Sequence, residues 1–295
     1  MKRLLLFCVA AAALVTPLQA GNCNWITAPT NITLGSYSVF GSTSLVATSS
    51  YRFRCTPNTN ATLTFSTGAN SGTYFPRNLA SGANRLAYNV FDDAATSIVI
   101  GNGSGGTTSR VVFNSTPGDK EYDDIVYGKV IEGADIPAGT YTDTVTAFLS
   151  WGNGSVSATF TVTTVVIPEC TISATNLAFG TYDPIVANAT ANLDSSSTID
   201  VYCTRNTSGT ISLGNGLWFS GGRRLRNPAP DFLAYSLFRD AARTAPWLTA
   251  APNVVSRTST SKLTPMAMTV YGRIPGAQDP RVGAYADTVQ ATVNY

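Results

Sequence analysis

Hydrophobic and polar residues alternate in short runs along most of this chain. In residues 155–166, Val156, Ala158, Phe160, Val162 and Val166 share one face with Thr164, while Ser155, Ser157, Thr159, Thr161 and Thr163 share the other. Successive side chains of an extended strand point to opposite faces, so this is the pattern of a strand with one buried side. Residues 283–295 show it again. Tyr285, Val289, Ala291, Val293 and Tyr295 fall on one face, and Thr288, Gln290, Thr292 and Asn294 on the other. Clusters of Gly, Ser, Thr and Asn separate the runs, and no long stretch carries a helical period. Such spacing predicts an all-β chain of the sandwich or barrel type. In the first half the expected strands are 26–34, 45–55, 61–65, 85–91, 110–113, 123–131, 141–149 and 155–166.

The runs recur. Leu34-Gly35-Ser36-Tyr37 answers to Phe179-Gly180-Thr181-Tyr182, and Tyr51-Arg52-Phe53-Arg54-Cys55 to Ile199-Asp200-Val201-Tyr202-Cys203. Leu86-Ala87-Tyr88-Asn89-Val90-Phe91 matches Leu233-Ala234-Tyr235-Ser236-Leu237-Phe238, and Val126-Tyr127-Gly128 matches Val270-Tyr271-Gly272. Two copies at so long a period make tandem domains rather than a solenoid. The expected organisation is an export segment over 1–20, a first domain over 21–167 and a second over 168–295. Only Pro168 and Glu169 separate the two domains, so a fairly stiff pair is expected.

The two copies differ at their C-terminal sides. Gly139-Thr140-Tyr141-Thr142-Asp143-Thr144-Val145 parallels Gly283-Ala284-Tyr285-Ala286-Asp287-Thr288-Val289. After the first, Ser150-Trp151-Gly152-Asn153-Gly154 turns into the alternating run 155–166; after the second there is no such run. The sequence therefore predicts two tandem immunoglobulin-like β-sandwich domains, the second lacking its final strand. Such a sandwich exposes an apolar groove and unpaired backbone groups, both of which a strand from another chain would satisfy. The expected acceptor edge is Tyr285, Val289, Ala291, Val293 and Tyr295. Only Gly21 and Asn22 stand between the export segment and Cys23, so the expectation is a subunit that accepts a strand and donates none.

Composition narrows the class. Lys2 and Arg3, the apolar run 4–15 and Leu18-Gln19-Ala20 form an export signal, cleaved after Ala20. Without Lys2 and Arg3, 17 basic residues face 17 acidic ones. That balance argues against nucleic acid as a partner, which a cationic surface would bind. Four cysteines remain, Cys23, Cys55, Cys170 and Cys203, and an even number in an exported chain suggests disulfides. Three connectivities are open; the repeat favours one bridge per domain. With no histidine and no Cys-x-x-Cys, neither a metal nor another cofactor is expected. No triad, nucleophile elbow or phosphate loop is present, and an enzyme is not expected.

Three stretches are candidates for contact with a surface or ligand. Trp151 stands on a tight turn at the end of the first domain away from the second; it either meets a surface or folds back on a neighbouring loop. Ile98, Val99 and Ile100 abut a Gly-rich loop and are either a contact patch or a short buried strand. Tyr74 and Phe75 lie in a Ser/Gly/Asn loop. Asp143 and Asp287 interrupt apolar faces and are expected to bond a nearby backbone turn. Arg223-Arg224-Leu225-Arg226 reads as an exposed basic loop.

The order of these motifs resembles the spore coat protein U domain family, whose members include subunits of archaic (Csu-type) chaperone–usher pili. The carrying features are the Cys-to-Cys spacing, Leu-x-Tyr-x-x-Phe at Leu86 and Leu233, Tyr-Gly-x-Val/Ile at Tyr127 and Tyr271, and the terminal Gly-x-Tyr-x-Asp-Thr-Val. A two-domain member of this kind is similar to the tip adhesin of such a pilus. The resemblance implies a periplasmic pilus chaperone, an outer-membrane usher and an adjacent pilin subunit that donates a β-strand. It further implies a place at the pilus tip on the cell surface, attachment to an abiotic or host surface, and biofilm formation. A structural coat or shaft protein is the alternative it leaves open, and a glycan-reading module another.

Overall fold

The computed structural model describes residues 21–152 and 154–295. The export segment and Asn153 of the 150–154 turn lie outside the described residues. Ten strands build the first domain. They are β1 (Cys23–Thr27), β2 (Ile32–Tyr37), β3 (Val46–Cys55), β4 (Asn60–Phe65), β5 (Arg77–Ser81), β6 (Asn84–Phe91), β7 (Arg110–Phe113), β8 (Lys120–Val130), β9 (Gly139–Trp151) and β10 (Gly154–Val166). One layer runs β1-β3-β8-β6-β5 and the other β2-β10-β9-β4-β7, with the single pair Ala80↔Thr142 stitching β5 to β9. The run 26–34 is two strands in opposite layers rather than one. Pro29, which has no amide to donate to a ladder, stands where the chain crosses over. β5 falls in a stretch that the alternation did not single out.

Inward positions from both layers form one core, with Ile32, Leu63, Phe65, Leu86, Leu149 and Phe160 fully buried. β10 pairs antiparallel with all of β9 and parallel with β2, and its Phe160, Val162 and Val166 are buried. The strand thus closes the sandwich and fills its interior at once.

The second domain comprises β11 (Cys170–Ala174), β12 (Leu193–Cys203), β13 (Ser208–Leu213), β14 (Arg223–Arg226), β15 (Phe232–Phe238), β16 (Val255–Thr258), β17 (Met266–Ile274) and β18 (Ala291–Asn294). Its first layer, β11-β12-β17-β15-β14, repeats that of the first domain, but its second is only β16-β13-β18. Disulfides join Cys23 to Cys55 and Cys170 to Cys203, each across the matching pair of strands.

A buried polar network recurs in both domains. Tyr88 Oη donates to Asp143 Oδ2 at 2.6 Å, and Tyr235 Oη to Asp287 Oδ2 at 2.7 Å. Asp143 also accepts from the amides of Ala69 and Asn70 at 2.9 and 3.1 Å, and Asp287 from that of Leu217 at 2.8 Å. Gly68 and Gly216 have positive φ and lie so close to these carboxylates that a Cβ would collide with them. Arg77 donates to Ser66 O and Ile100 O, and Arg223 to Leu213 O and Gly214 O. Arg223 is therefore a buried strand residue, a correction to the exposed basic loop expected over 223–226. These guanidiniums satisfy carbonyls where β4 and β13 leave their sheets. Burial lowers the pKa of Arg77 to about 10, still charged at neutral pH, and raises those of Tyr88 and Asp143.

This arrangement can be tested at two places. Tyr88→Phe leaves Asp143 one donor short and should destabilise the first domain by about 1.5–3 kcal/mol, read as a lower calorimetric transition; an unchanged transition would remove the network from the fold's energetics. Asp93 accepts from the amides of Ser97 and Ile98, and Asp240 from those of Thr244 and Ala245. Their folded pKa values are depressed, by those bonds above all. Their contribution is complete above the unfolded carboxylate value of about 3.9 and is lost as pH falls through the lower folded one. The double variant Asp93→Asn, Asp240→Asn should show a flatter fall of melting temperature between about pH 4 and pH 2.

Candidate functional site

The second layer of the second domain is incomplete. In the first domain, thirteen residue pairs join β9 to β10. Their counterpart, residues 283–295, has β13 on one side of β18 and no strand on the other among the described residues. Residues 175–183, which occupy the place of β2, form no strand, because the strand that β2 pairs with has no equivalent among the described residues. Between them lies a groove with a cavity of about 270 Å³. Leu177, Phe179, Ile199, Leu237, Val289 and Ala291 contribute to its lining, with Tyr235 and Asp287 at its floor.

The acceptor-edge residues distribute along this feature. Val289 and Ala291 line the groove, while Tyr285 and Val293 are half-buried against the same core. Tyr295, at the far end, is 59% exposed. Tyr285 is fixed by its hydroxyl, whose single hydrogen is shared between Asp231 Oδ2 at 2.7 Å and Arg281 O at 2.8 Å. Burial and the Asp231 charge push its pKa up to about 12.

The surface candidates of the first domain do not form one patch. The 150–154 turn sits at the end of the β9–β10 hairpin away from the second domain. Trp151 is half-buried rather than exposed, packed against the core with its ring over Gly154. Ala61 pairs with both Trp151 and Val112, so the indole joins the core through that row. Val99 and Ile100 are buried, a correction to the contact-patch reading, and only Ile98 is exposed. The reason is again the repeat. Ile100 N bonds Val90 O as Trp247 N bonds Leu237 O, so Ile100 takes the core position of the fully buried Trp247. Extending the repeat alignment from Asp93 and Asp240 to the residues just beyond them would have shown it.

Tyr74 is also tethered: its hydroxyl donates to Phe65 O at 2.9 Å and Arg77 lies over its ring. Phe75 is 51% exposed and stands beside Gly106, so the 73–76 loop meets the Gly-rich loop on the flank of the sandwich, not at the 150–154 turn. Other exposed apolar residues escaped the sequence reading, three of them on strands that pair with β4. Val111, Phe113 and Phe148 lie on the outer face of β7 and β9, opposite Thr62, Asn60 and Thr64. Alternation alone carried the signal, since Val111 and Phe113 bracket the inward Val112.

Comparison with known proteins agrees with the duplicated architecture. Residues 9–148 and 156–292 each match the Spore Coat Protein U domain. "Protein U" of Myxococcus xanthus is 35% identical over 135 residues, which are 40% of this chain and 71% of that protein. Among solved structures, the chain is similar to one in the CsuC–CsuE chaperone–tip adhesion subunit pre-assembly complex of the archaic chaperone–usher Csu pili of Acinetobacter baumannii. That likeness covers 93% of this chain and 100% of the other, with a TM-score of 0.51 and 15% identity, and is one of fold. The two copies account for nearly all of the described residues, and the chain belongs to the Spore Coat Protein U domain family.

Proposed function

We propose that this protein is the tip adhesin subunit of a chaperone–usher pilus, with 21–167 as its surface-binding domain and 168–295 as a pilin-like domain that accepts a donor strand. The observation that carries the reading is the open groove of the second domain beside a first domain that closes the same place with β10. By analogy with β10, a donor strand runs antiparallel to residues 287–294 and parallel to residues 177–182. It presents apolar side chains at alternate positions, as Phe160, Val162 and Val166 do. Each such side chain contributes about 1.5–3 kcal/mol on burial.

Until that strand arrives the groove needs a temporary occupant. A periplasmic chaperone fits this role, followed by exchange at an outer-membrane usher for the strand of the adjacent pilin. The fold shared with a subunit of a chaperone–tip adhesion complex supports this order of partners. In this reading the protein is exported, sits at the pilus tip and holds cells to abiotic or host surfaces in biofilms. Its contact surface draws on Phe75, Ile98, Val111, Phe113 and Phe148, exposed apolar residues of the first domain. Trp151, Tyr74, Val99 and Ile100 support that surface from beneath. No catalytic role is assigned to any residue.

A copy of residues 154–166 appended after Tyr295 through a Gly-rich turn tests the groove. The second domain should gain on the order of 5 kcal/mol, read as a rise in its melting transition. The same copy carrying Phe160→Asp should give no gain. Equal stability with and without the intact copy would sink the acceptor reading.

A further inference from the structure

The contact between the two domains shows how one domain of this kind sits on another. Glu169 Oε1 accepts from Ser38 Oγ at 2.6 Å and from Phe40 N at 3.3 Å. Arg205 Nη2 donates to Asn84 Oδ1 at 2.7 Å. Lys262 Nζ donates to Val39 O at 2.7 Å, and its amide to Asp135 Oδ1 at 3.0 Å. Glu169, Arg205 and Lys262 all belong to the disulfide-bearing end of the second domain. Glu169 precedes Cys170, Arg205 lies just past Cys203, and Lys262 just past Ser259, whose hydroxyl donates to Cys203 O.

The first domain has the same end, with Cys23, Cys55 and Asn114, whose amide nitrogen donates to Cys55 O as Ser259 does to Cys203 O. Counting from these matches, its docking positions are Asn22, Pro57 and Pro117. None carries a charge, and the two prolines have no side-chain donor. That end of the first domain cannot make the bonds that join the two domains.

The receiving surface has a counterpart at the opposite end of the second domain. Tyr182 Oη takes the amide of Gln278 at 3.0 Å as Tyr37 Oη takes that of Ala134 at 3.2 Å. Asp183, Asp231 and Asp279 then stand where Ser38, Asn84 and Asp135 receive Glu169, Arg205 and Lys262. Asp183 accepts from the amides of Ile185 and Val186, and Asp231 from Tyr285 Oη and the Arg281 amide. Asp279 is exposed and makes no side-chain bond among the described residues. Arg281 is the cation nearest in sequence. Ile185 and Val186 beside them are 84% and 77% exposed, and Val282 is exposed as well. Three carboxylates around an exposed apolar patch suit a partner with cations on its rim and an apolar centre.

We infer that this end of the second domain docks the disulfide-bearing end of another protein of the same family, which presents a lysine at the position of Lys262. The first domain lacks those groups at Asn22, Pro57 and Pro117, so its own disulfide-bearing end is not built for this contact. The inference rests on the proposed assembly and adds to it a second contact, separate from the groove, with stated charge and orientation.

Zero-length carbodiimide cross-linking of fibres containing the full chain, followed by peptide mass spectrometry, tests it. The expected products are Asp135–Lys262 within the chain, as internal control, and Asp279 joined to a lysine near the disulfide of the neighbouring subunit. Asp279→Lys should abolish the second product, keep the first, and lower incorporation into fibres several-fold. Asp279 joined to lysines elsewhere, or to none while Asp135–Lys262 forms, overturns the inference and leaves the groove intact. Absence of the chain from every fibre overturns the assembly reading, and this contact with it.

Discussion

A strand inside a sheet needs a partner along each edge, and a buried amide or carbonyl left without one costs about 1–3 kcal/mol. Most of the structure depends on where this chain meets that requirement and where it does not. β9 has β4 and β10 as neighbours, so both edges are paired and its inward side chains are buried. Residues 287–294 repeat β9 with one edge paired, and their inward side chains are only half-buried. The same omission unpairs residues 175–183, since β2 owes its strand geometry to β10. The lack of one strand among the described residues thus leaves a groove with two free edges and a largely apolar lining.

The floor keeps its shape because it does not depend on the absent strand. Arg223 ties the exit of β13 to β14, and Tyr235 ties β15 to the segment that carries Asp287. In the first domain Arg77, Tyr88 and Asp143 make corresponding bonds with β10 in place. A network of the same plan in a closed and an open sandwich suits the proposed acceptor role, in which an occupant would supply side chains and ladder bonds without rebuilding the core. Preorganisation of this kind lowers the ordering cost of binding.

How much could be read in the sequence varied with the physics of each feature. The layers were legible because alternation reports one buried face directly, as in 155–166 and 283–295. The open groove was legible because a repeat makes an omission visible. The roles of Arg77 and Arg223 were not, since an arginine buried against carbonyls looks in sequence like one on a surface. For Trp151 and Ile100 the sequence left two readings open for a related reason. A Gly-rich neighbourhood suggests exposure, yet Gly154 leaves room for an indole to lie over it, and Ile100 bonds back to β6 across such a loop. Only the second copy, with Trp247 in that place, discriminates.

The duplicated fold also gives the chain a direction. Both domains present their disulfide-bearing end the same way, so the intramolecular junction joins unlike ends. Such head-to-tail contacts propagate into filaments unless one end is blocked. In the inferred contact, Asn22, Pro57 and Pro117 lack the groups that would continue the series at the first domain, whereas Asp183, Asp231 and Asp279 supply carboxylates at the second. Groove and acidic face thus belong to the same domain. A partner strand entering the groove parallel to residues 177–182 leaves it near Asp183 and the acidic end, as β10 leaves the first domain beside Ser38 and enters the second at Glu169. The strand and the domain attached to it would therefore arrive in the order and orientation that the junction already displays.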